Sequence, residues 1–252
     1  MKKLKFLAAV CCMAAVFAAC ENDTKSKIEE LENRIEGLEN GGNSNTGSDN
    51  ATGTANGHDY VDLGLPSGTK WATCNVGATK PEEYGNYYAW GETEPKTSYD
   101  WDTYKWCNGS EDTLTKYNTN SDYGTVDNKT VLDLADDAAR ANWGGAWRMP
   151  TDAEWTELRE NCTWRWTYDY NGTGVAGRIV TSKINGNSIF LPAASYGYVV
   201  SHDSVCCGDS WSSSLDSDSP YGAWSVFFYS DHVYRMNYYR CDGLPVRPVL
   251  GE

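Results

Sequence analysis

Hydrophobic positions along the chain fall into four regimes. Residues 6–17 are almost unbroken apolar sequence behind Lys2, Lys3 and Lys5. Residues 25–40 are rich in Glu and Lys, with Ile28, Leu31, Ile35 and Leu38 at spacings of 3, 4 and 3. Residues 41–57 carry no apolar pattern and consist largely of Gly, Asn, Ser and Thr. Beyond them, short apolar or alternating runs read as strands over 60–65, 70–76, 87–90, 178–184, 188–191, 223–229, 233–239 and 246–250. Asn185-Gly186 between two of these runs is a hairpin signal, since both residues accept the left-handed backbone of a tight turn. One helix is expected over 132–142. A second opens on Thr151-Asp152-Ala153-Glu154, where Thr151 and Glu154 can satisfy each other's backbone donors as a capping box, with Trp155 and Leu158 on the buried face. Two helices, small antiparallel or mixed sheets and long loops give an α+β class.

The first regime has the grammar of a signal peptide, residues 1–19, and is too short for an ordinary transmembrane helix of about 20 residues. Phe17-Ala18-Ala19-Cys20 resembles a bacterial lipobox, with Phe17 where that motif usually has Leu. The resemblance implies that Cys20 is lipidated and anchors the chain to a membrane. The acidic Glu21-Asn22-Asp23 that follows resembles the signal placing lipoproteins on the outer face of the outer membrane. Residues 20–40 then read as the anchor and a short coiled-coil-like helix, and 41–57 as a flexible linker. Two heptads are marginal as an isolated helix, so 28–38 supports weak self-association at most.

Charge and cysteines agree with export. The formal charge of −14 repels nucleic acid and anionic lipid surfaces, so neither is an expected partner. Of nine cysteines, Cys11 and Cys12 leave with the leader and Cys20 carries lipid, leaving 74, 107, 162, 206, 207 and 241. Six cysteines allow 15 pairings. At most one bridge is expected, among Cys74, Cys107 and Cys162. The histidines His58, His202 and His232 are scattered and no zinc-type spacing occurs, so no metal or cofactor is expected.

The segment Gly145-Ala146-Trp147-Arg148-Met149-Pro150-Thr151-Asp152-Ala153-Glu154-Trp155 resembles a motif of the formylglycine-generating-enzyme family, a variant of the C-type-lectin fold. Tyr60-Val61-Asp62-Leu63-Gly64-Leu65, Trp71-Ala72-Thr73-Cys74-Asn75-Val76-Gly77, Tyr88-Ala89-Trp90-Gly91-Glu92-Thr93 and Ile189-Phe190-Leu191-Pro192-Ala193-Ala194 resemble the major paralogous domains of Bacteroides and Fibrobacter surface lipoproteins. The closing Gly243-Leu244-Pro245-Val246-Arg247-Pro248-Val249 is similar to both groups. The resemblance spans 58–252 and implies a C-type-lectin-like binding domain.

Residues 184–251 hold no Lys, Glu or Thr, while Tyr, Ser, Asp, Gly and Cys crowd 195–242. Tyr offers contact area at low rotamer cost and small polar residues adapt around it, as at antibody surfaces. The tail also resembles the variable region of proteins diversified by a retroelement, here 196–245. Adenine-directed changes there leave Tyr, Ser, Asp, His, Cys, Gly and Asn within a constant frame. The frame would be Trp211-Ser212-Ser213-Ser214, Val226, Phe228, Val233, Val246, Arg247 and Pro248. Candidate ligand-binding residues are His202, Asp203, Asp209, Ser210, Tyr221, Trp224 and Tyr229, followed by Asp231, His232, Tyr234, Asn237, Tyr238, Tyr239 and Asp242. Cys206, Cys207 and Cys241 read as products of the same diversification. Strand alternation would bury about half of these side chains.

An oxidase of the formylglycine-generating type needs a closely spaced thiol pair before its closing segment, and Cys241 stands there alone. No Gly-x-Ser-x-Gly elbow is present. A calcium-dependent lectin would place an acid or amide where Glu94-Pro95-Lys96 puts a cation. The expectation is therefore a non-enzymatic surface binder of a protein or glycan on another cell, a phage or a host. A fixed adhesin or a carbohydrate-binding lectin is the alternative.

Overall fold

A computed structural model of the chain describes residues 51–194 and 207–251. The leader, Cys20, the 28–38 heptads, most of the linker, His202, Asp203 and Cys206 lie outside the described residues.

The fold begins inside the stretch expected to be spacer. Asn56 and Gly57, with φ of +47° and +83°, turn β1 (Gly53–Ala55) onto β2 (His58–Val61). An Asn-Gly pair with two positive φ values is the preferred two-residue hairpin turn. β2 pairs with β3 (Lys70–Ala72). The C-terminal β13 (Val249–Leu250) then inserts between β3 and β5 (Trp147–Arg148), completing a five-stranded antiparallel sheet. Residues nearly 200 positions apart thereby share one sheet, so the final residues close the domain.

Of the two helices expected, the second forms as read. Helix α2 (Asp152–Asn161) opens on the Thr151–Glu154 capping box and buries Trp155 and Leu158. Glu154 also takes both Nη atoms of Arg148 at 2.7 Å, which ties the cap to β5. The expected helix over 132–142 is divided. A 3-10 turn at Leu134–Asp136 precedes α1 (Ala138–Trp143), because Asp137 is extended and caps the helix itself, accepting from Arg140 N at 3.0 Å and Met149 N at 2.7 Å.

A second sheet runs β6 (Cys162–Thr167), β7 (Gly177–Ser182), β8 (Ser188–Pro192), with Asn185-Gly186 in the connection between the last two. β12 (Leu244–Pro245) pairs with β4 (Tyr87–Tyr88). The third sheet has the order β11-β10-β9, formed by β9 (Cys207–Leu215), β10 (Gly222–Tyr229) and β11 (Val233–Tyr239). Sequence patterning does not mark β9, whose Cys-Gly-Asp-Ser-Trp-Ser-Ser-Ser-Leu run lacks β-branched residues. It is held as a strand by neighbours: β10 pairs with it antiparallel on one edge, and on the other, loop carbonyls of Ala194, Pro150 and Thr130 accept from the amides of Asp209, Ser213 and Leu215 at 2.8–3.1 Å.

This third sheet feeds two cores. Trp211, Leu215 and Ala223 join Trp90, Trp147 and Val246 in one, while Val226 and Phe228 join Trp71, Trp155 and Ile189 in the other. The tryptophans brace as well as fill. Indole N–H groups of Trp90, Trp211 and Trp155 donate to the carbonyls of Ser212, Tyr88 and Trp211 at 2.8, 2.8 and 3.2 Å. Large apolar bodies with one donor suit a chain whose strands are short and whose loops leave carbonyls to be met.

Arg247 is wholly buried between these layers. Its Nε donates to Asn75 Oδ1 at 2.8 Å, Nη1 to the carbonyls of Ala72 and Thr73 at 2.9 Å each, and Nη2 to Phe190 O at 2.9 Å. Arg247→Met keeps the bulk but strands these acceptors, so urea unfolding should show a loss of about 3 kcal/mol or more.

Candidate binding ribbon

The β10–β11 hairpin carries most of the residues singled out from sequence. Its register runs without interruption from Gly222 opposite Tyr239 to Phe228 opposite Val233. Tyr229 N donates to His232 O at 3.0 Å at the turn, and Arg240 N to Tyr221 O at 3.0 Å at the far end. Antiparallel hydrogen-bonded pairs alternate. Even-numbered residues of β11 therefore bond to β10, and Val233, Arg235, Asn237 and Tyr239 direct their backbone groups to the open edge.

Two aromatic clusters occupy the ends of this ribbon. At the turn, Tyr234 stacks on His232 at 5.5 Å and lies near-parallel to Phe227 at 6.4 Å; Tyr229 adds a hydroxyl contact to Tyr234 at 3.2 Å. That shared hydroxyl contact raises the Tyr229 pKa. At the other end Tyr239 lies 5.9 Å from both Trp101 and Tyr221, and Tyr221 lies 5.1 Å from Tyr123. Tyr234, Met236 and Tyr239 remain 40, 39 and 50 % exposed. Between the clusters Arg235 lies over Trp224 at 3.3 Å and makes a salt bridge to Asp152 at 2.8 and 2.9 Å. Asn237 donates to Asp216 at 2.7 Å.

A buried arginine holds each end. Arg178, from β7, donates to the carbonyls of Trp164, Tyr229 and His232, so it grips the chain on both sides of the hairpin turn. Burial lowers its pKa, and the Asp231 carboxylate opposes that effect. Arg240 donates to Tyr104 Oη at 2.9 Å and to the carbonyls of Tyr117, Pro220 and Lys116 at 2.9–3.0 Å. The backbone of the ribbon is thus fixed from beneath at both ends.

Of the candidate residues in this region, Asp231, His232, Tyr234, Asn237 and Tyr239 are exposed, and Tyr221, Trp224, Tyr229 and Tyr238 are half-buried. Three assignments to a binding face are corrected. Asp209, Ser210 and Asp242 are 3, 4 and 6 % exposed. Ser210 Oγ serves the frame, accepting from Arg247 N at 3.2 Å. Tyr238 leans inward toward Trp211, and burial together with the nearby Asp209 charge raises its pKa. Trp101, Tyr123 and Met236 were not marked by the tail's composition. The two aromatics come from loops more than 90 positions upstream, where no local signal links them to the ribbon.

Beside the turn, an open groove of about 330 Å³ is lined by Thr156, Arg159 and Glu160 of α2 with Trp164, Arg178, Asp231 and Val233. Lys96, in the position that weakens a calcium-lectin reading, bonds Glu92 and the Thr103 carbonyl at 3.0 Å each. Among the described residues no group of three His, Cys, Asp or Glu side chains is arranged to hold a metal ion. Nor is any helix among them long and apolar enough to cross a membrane. Comparison of the chain with family models, curated proteins and solved structures gives no match.

No disulfide joins any two of Cys74, Cys107, Cys162, Cys207 and Cys241. Cys241 packs with Tyr104 and Cys107, and burial pushes its thiol pKa up to about 12; Cys162 is pushed up to about 11 by the same cause. A reactive thiol has its pKa lowered. Iodoacetamide at pH 8 should therefore leave Cys162 and Cys241 unmodified in the folded chain and label both after unfolding, as read by mass spectrometry. Rapid native labelling of Cys241 would restore the oxidase reading.

Proposed function

We propose that this chain is a surface-displayed lipoprotein with a C-type-lectin-like domain, anchored through acylated Cys20, whose β10–β11 ribbon binds a macromolecular ligand. The ligand is a protein or glycan on another cell, a phage or a host, and recognition works by shape and aromatic complementarity without chemistry on the ligand. No cofactor enters this reading.

One observation carries it. Tyr229, Asp231, His232, Tyr234, Asn237 and Tyr239 are of the residue types that adenine-directed diversification yields, and all are exposed or half-buried on one ribbon. The interleaved frame residues Trp211, Val226, Phe228, Val246 and Arg247 are buried at 0–1 % exposure. A surface that varies over a core that does not is what a diversified binder requires. Tyr, with two side-chain torsions, supplies contact area at low entropic cost.

The test uses the full chain against an array of immobilised glycans and a display library of random peptides of about twelve residues. Replacing Tyr229, Tyr234 and Tyr239 together with Ala should weaken selected binders by at least about tenfold with an unchanged urea midpoint. Binders indifferent to the triple replacement overturn the reading. The anchor is checked separately: Cys20→Ser should abolish palmitate incorporation in the producing cell and release the chain from the membrane fraction. Diversification predicts a downstream near-copy of the 3′ end of the gene, differing at adenines, beside a reverse-transcriptase gene. Absence of that copy leaves a fixed adhesin.

A further inference from the structure

The two edges of the β11-β10-β9 sheet are treated differently. The β9 edge is covered by the loop contacts of Ala194, Pro150 and Thr130, and Ser213 O accepts from Leu132 N at 3.0 Å. On the β11 edge, no hydrogen bond within the described residues reaches the backbone N–H or C=O of Val233, Arg235 or Asn237. The open stretch ends at Tyr239, whose carbonyl accepts from Asp242 N at 2.9 Å. Natural proteins blunt such an edge with Pro, Lys, a bulge or an inward charge. β11 reads Val-Tyr-Arg-Met-Asn-Tyr-Tyr, its pairing with β10 has no register break, and its one cation is engaged by Asp152 and Trp224.

We propose that the free edge of β11 is a docking site for an extended, basic polypeptide segment, which joins the sheet as a fourth strand. The proposal rests on the ribbon being a binding face and specifies what that face takes. Val233 to Asn237 spans roughly 14 Å at strand rise, enough to pair with about five residues of a partner. Three outward residues offer three donors and three acceptors in ladder register, which a glycan cannot match. Alternate side chains of the incoming strand would stand beside Tyr234 and Met236, about 5 Å away, next to the half-exposed Phe227.

Charge selects the sign of the partner. The chain carries −14 in total, and Arg178, Arg240 and Arg247 spend their charge inside, on backbone carbonyls. Six acids, Glu92, Asp136, Asp137, Asp209, Asp216 and Asp242, are buried as well, so the surface keeps an acidic excess somewhat smaller than the total, and it draws a cationic segment while repelling a second copy of itself. At the Val233 end, exposed Asp231 and Glu160 line the groove into which the partner strand would run; Arg159 lies there too, and Arg178 is committed to the hairpin.

Peptides selected on the full chain from the random library test this directly. Hydrogen exchange on the unmodified protein should show the amides of Val233, Arg235 and Asn237 protected when a selected peptide is added, and the peptides should carry net positive charge. Asn237→Pro removes one outward donor at an edge position where proline is tolerated, and Asn237→Ala removes only the side-chain bond to Asp216. Affinity should fall about tenfold further in Asn237→Pro than in Asn237→Ala. Peptides that leave the three amides exchanging, or bind both variants alike, overturn edge pairing; if the triple tyrosine replacement still abolishes their binding, the tyrosine face itself stands. Net-negative peptides, or a selection yielding glycans alone, overturn the basic-polypeptide assignment. Peptides insensitive to the tyrosines as well remove both readings.

Discussion

The buried guanidinium of Arg247 is the contact on which the rest of this domain depends. A chain built from strands of two to nine residues and long loops cannot meet its interior carbonyls by ladders alone. Arginine can: it has five donors in a rigid plane, and it stays charged at any ordinary pH. Arg247 gathers the carbonyls of Ala72, Thr73 and Phe190 with the Asn75 amide, so the segments after β3 and within β8 are set relative to the C-terminal strand. Arg240 does the same for Lys116, Tyr117 and Pro220, and Arg178 for Trp164, Tyr229 and His232. Isolated in a protein interior a charge is very costly, but one whose donors are met by carbonyls becomes a many-way joint. Each joint links segments that sequence separates by tens of residues.

That bracing explains how polarity is sorted in the last third of the chain. β9 buries Ser210, Ser212 and Ser213, each with its hydroxyl on a backbone partner, while β11 exposes the aromatics Tyr234 and Tyr239 along with Met236. The usual order, with aromatics inside and serines outside, is partly inverted. Small polar residues suit β9 because tryptophans of both cores crowd it: Trp90 of one and Trp155 of the other bond to its carbonyls.

Much of this was legible in the sequence wherever one local rule decides the outcome. The Thr151–Glu154 box, the Asn185-Gly186 hairpin and the span of β11 follow from turn chemistry, capping and alternation. Where tertiary contacts decide, local rules failed. β9 has no strand-like composition and is a strand because β10 pairs with one of its edges and loops from three places bond to the other. Asp209, Ser210 and Asp242 look like their exposed neighbours, since Asp and Ser carry no mark of burial; only the packing of β9 and of the segment after Arg240 hides them. The Asn56-Gly57 turn was a readable hairpin signal, masked by the low-complexity stretch around it. Trp101 and Tyr123 could not have been assigned to the ribbon from any window of sequence.

Holding the ribbon from below also bears on how it could tolerate change. The main-chain position of the hairpin is set by Arg178 at the turn and by Arg240 at the base, neither of which is solvent-exposed. Outward side chains such as Tyr234 and Tyr239 make ring contacts, to Phe227 and to Trp101 respectively, and few hydrogen bonds to the frame. Replacing one alters the chemistry of the face without moving the strand beneath. A strand already ordered loses little backbone entropy when a ligand arrives, so more of each aromatic contact is retained as affinity. The two links that do tie outward side chains to neighbouring elements, Arg235 to Asp152 and Asn237 to Asp216, lie between the aromatic clusters. They hold the middle of β11 in line while both ends present their rings to solvent.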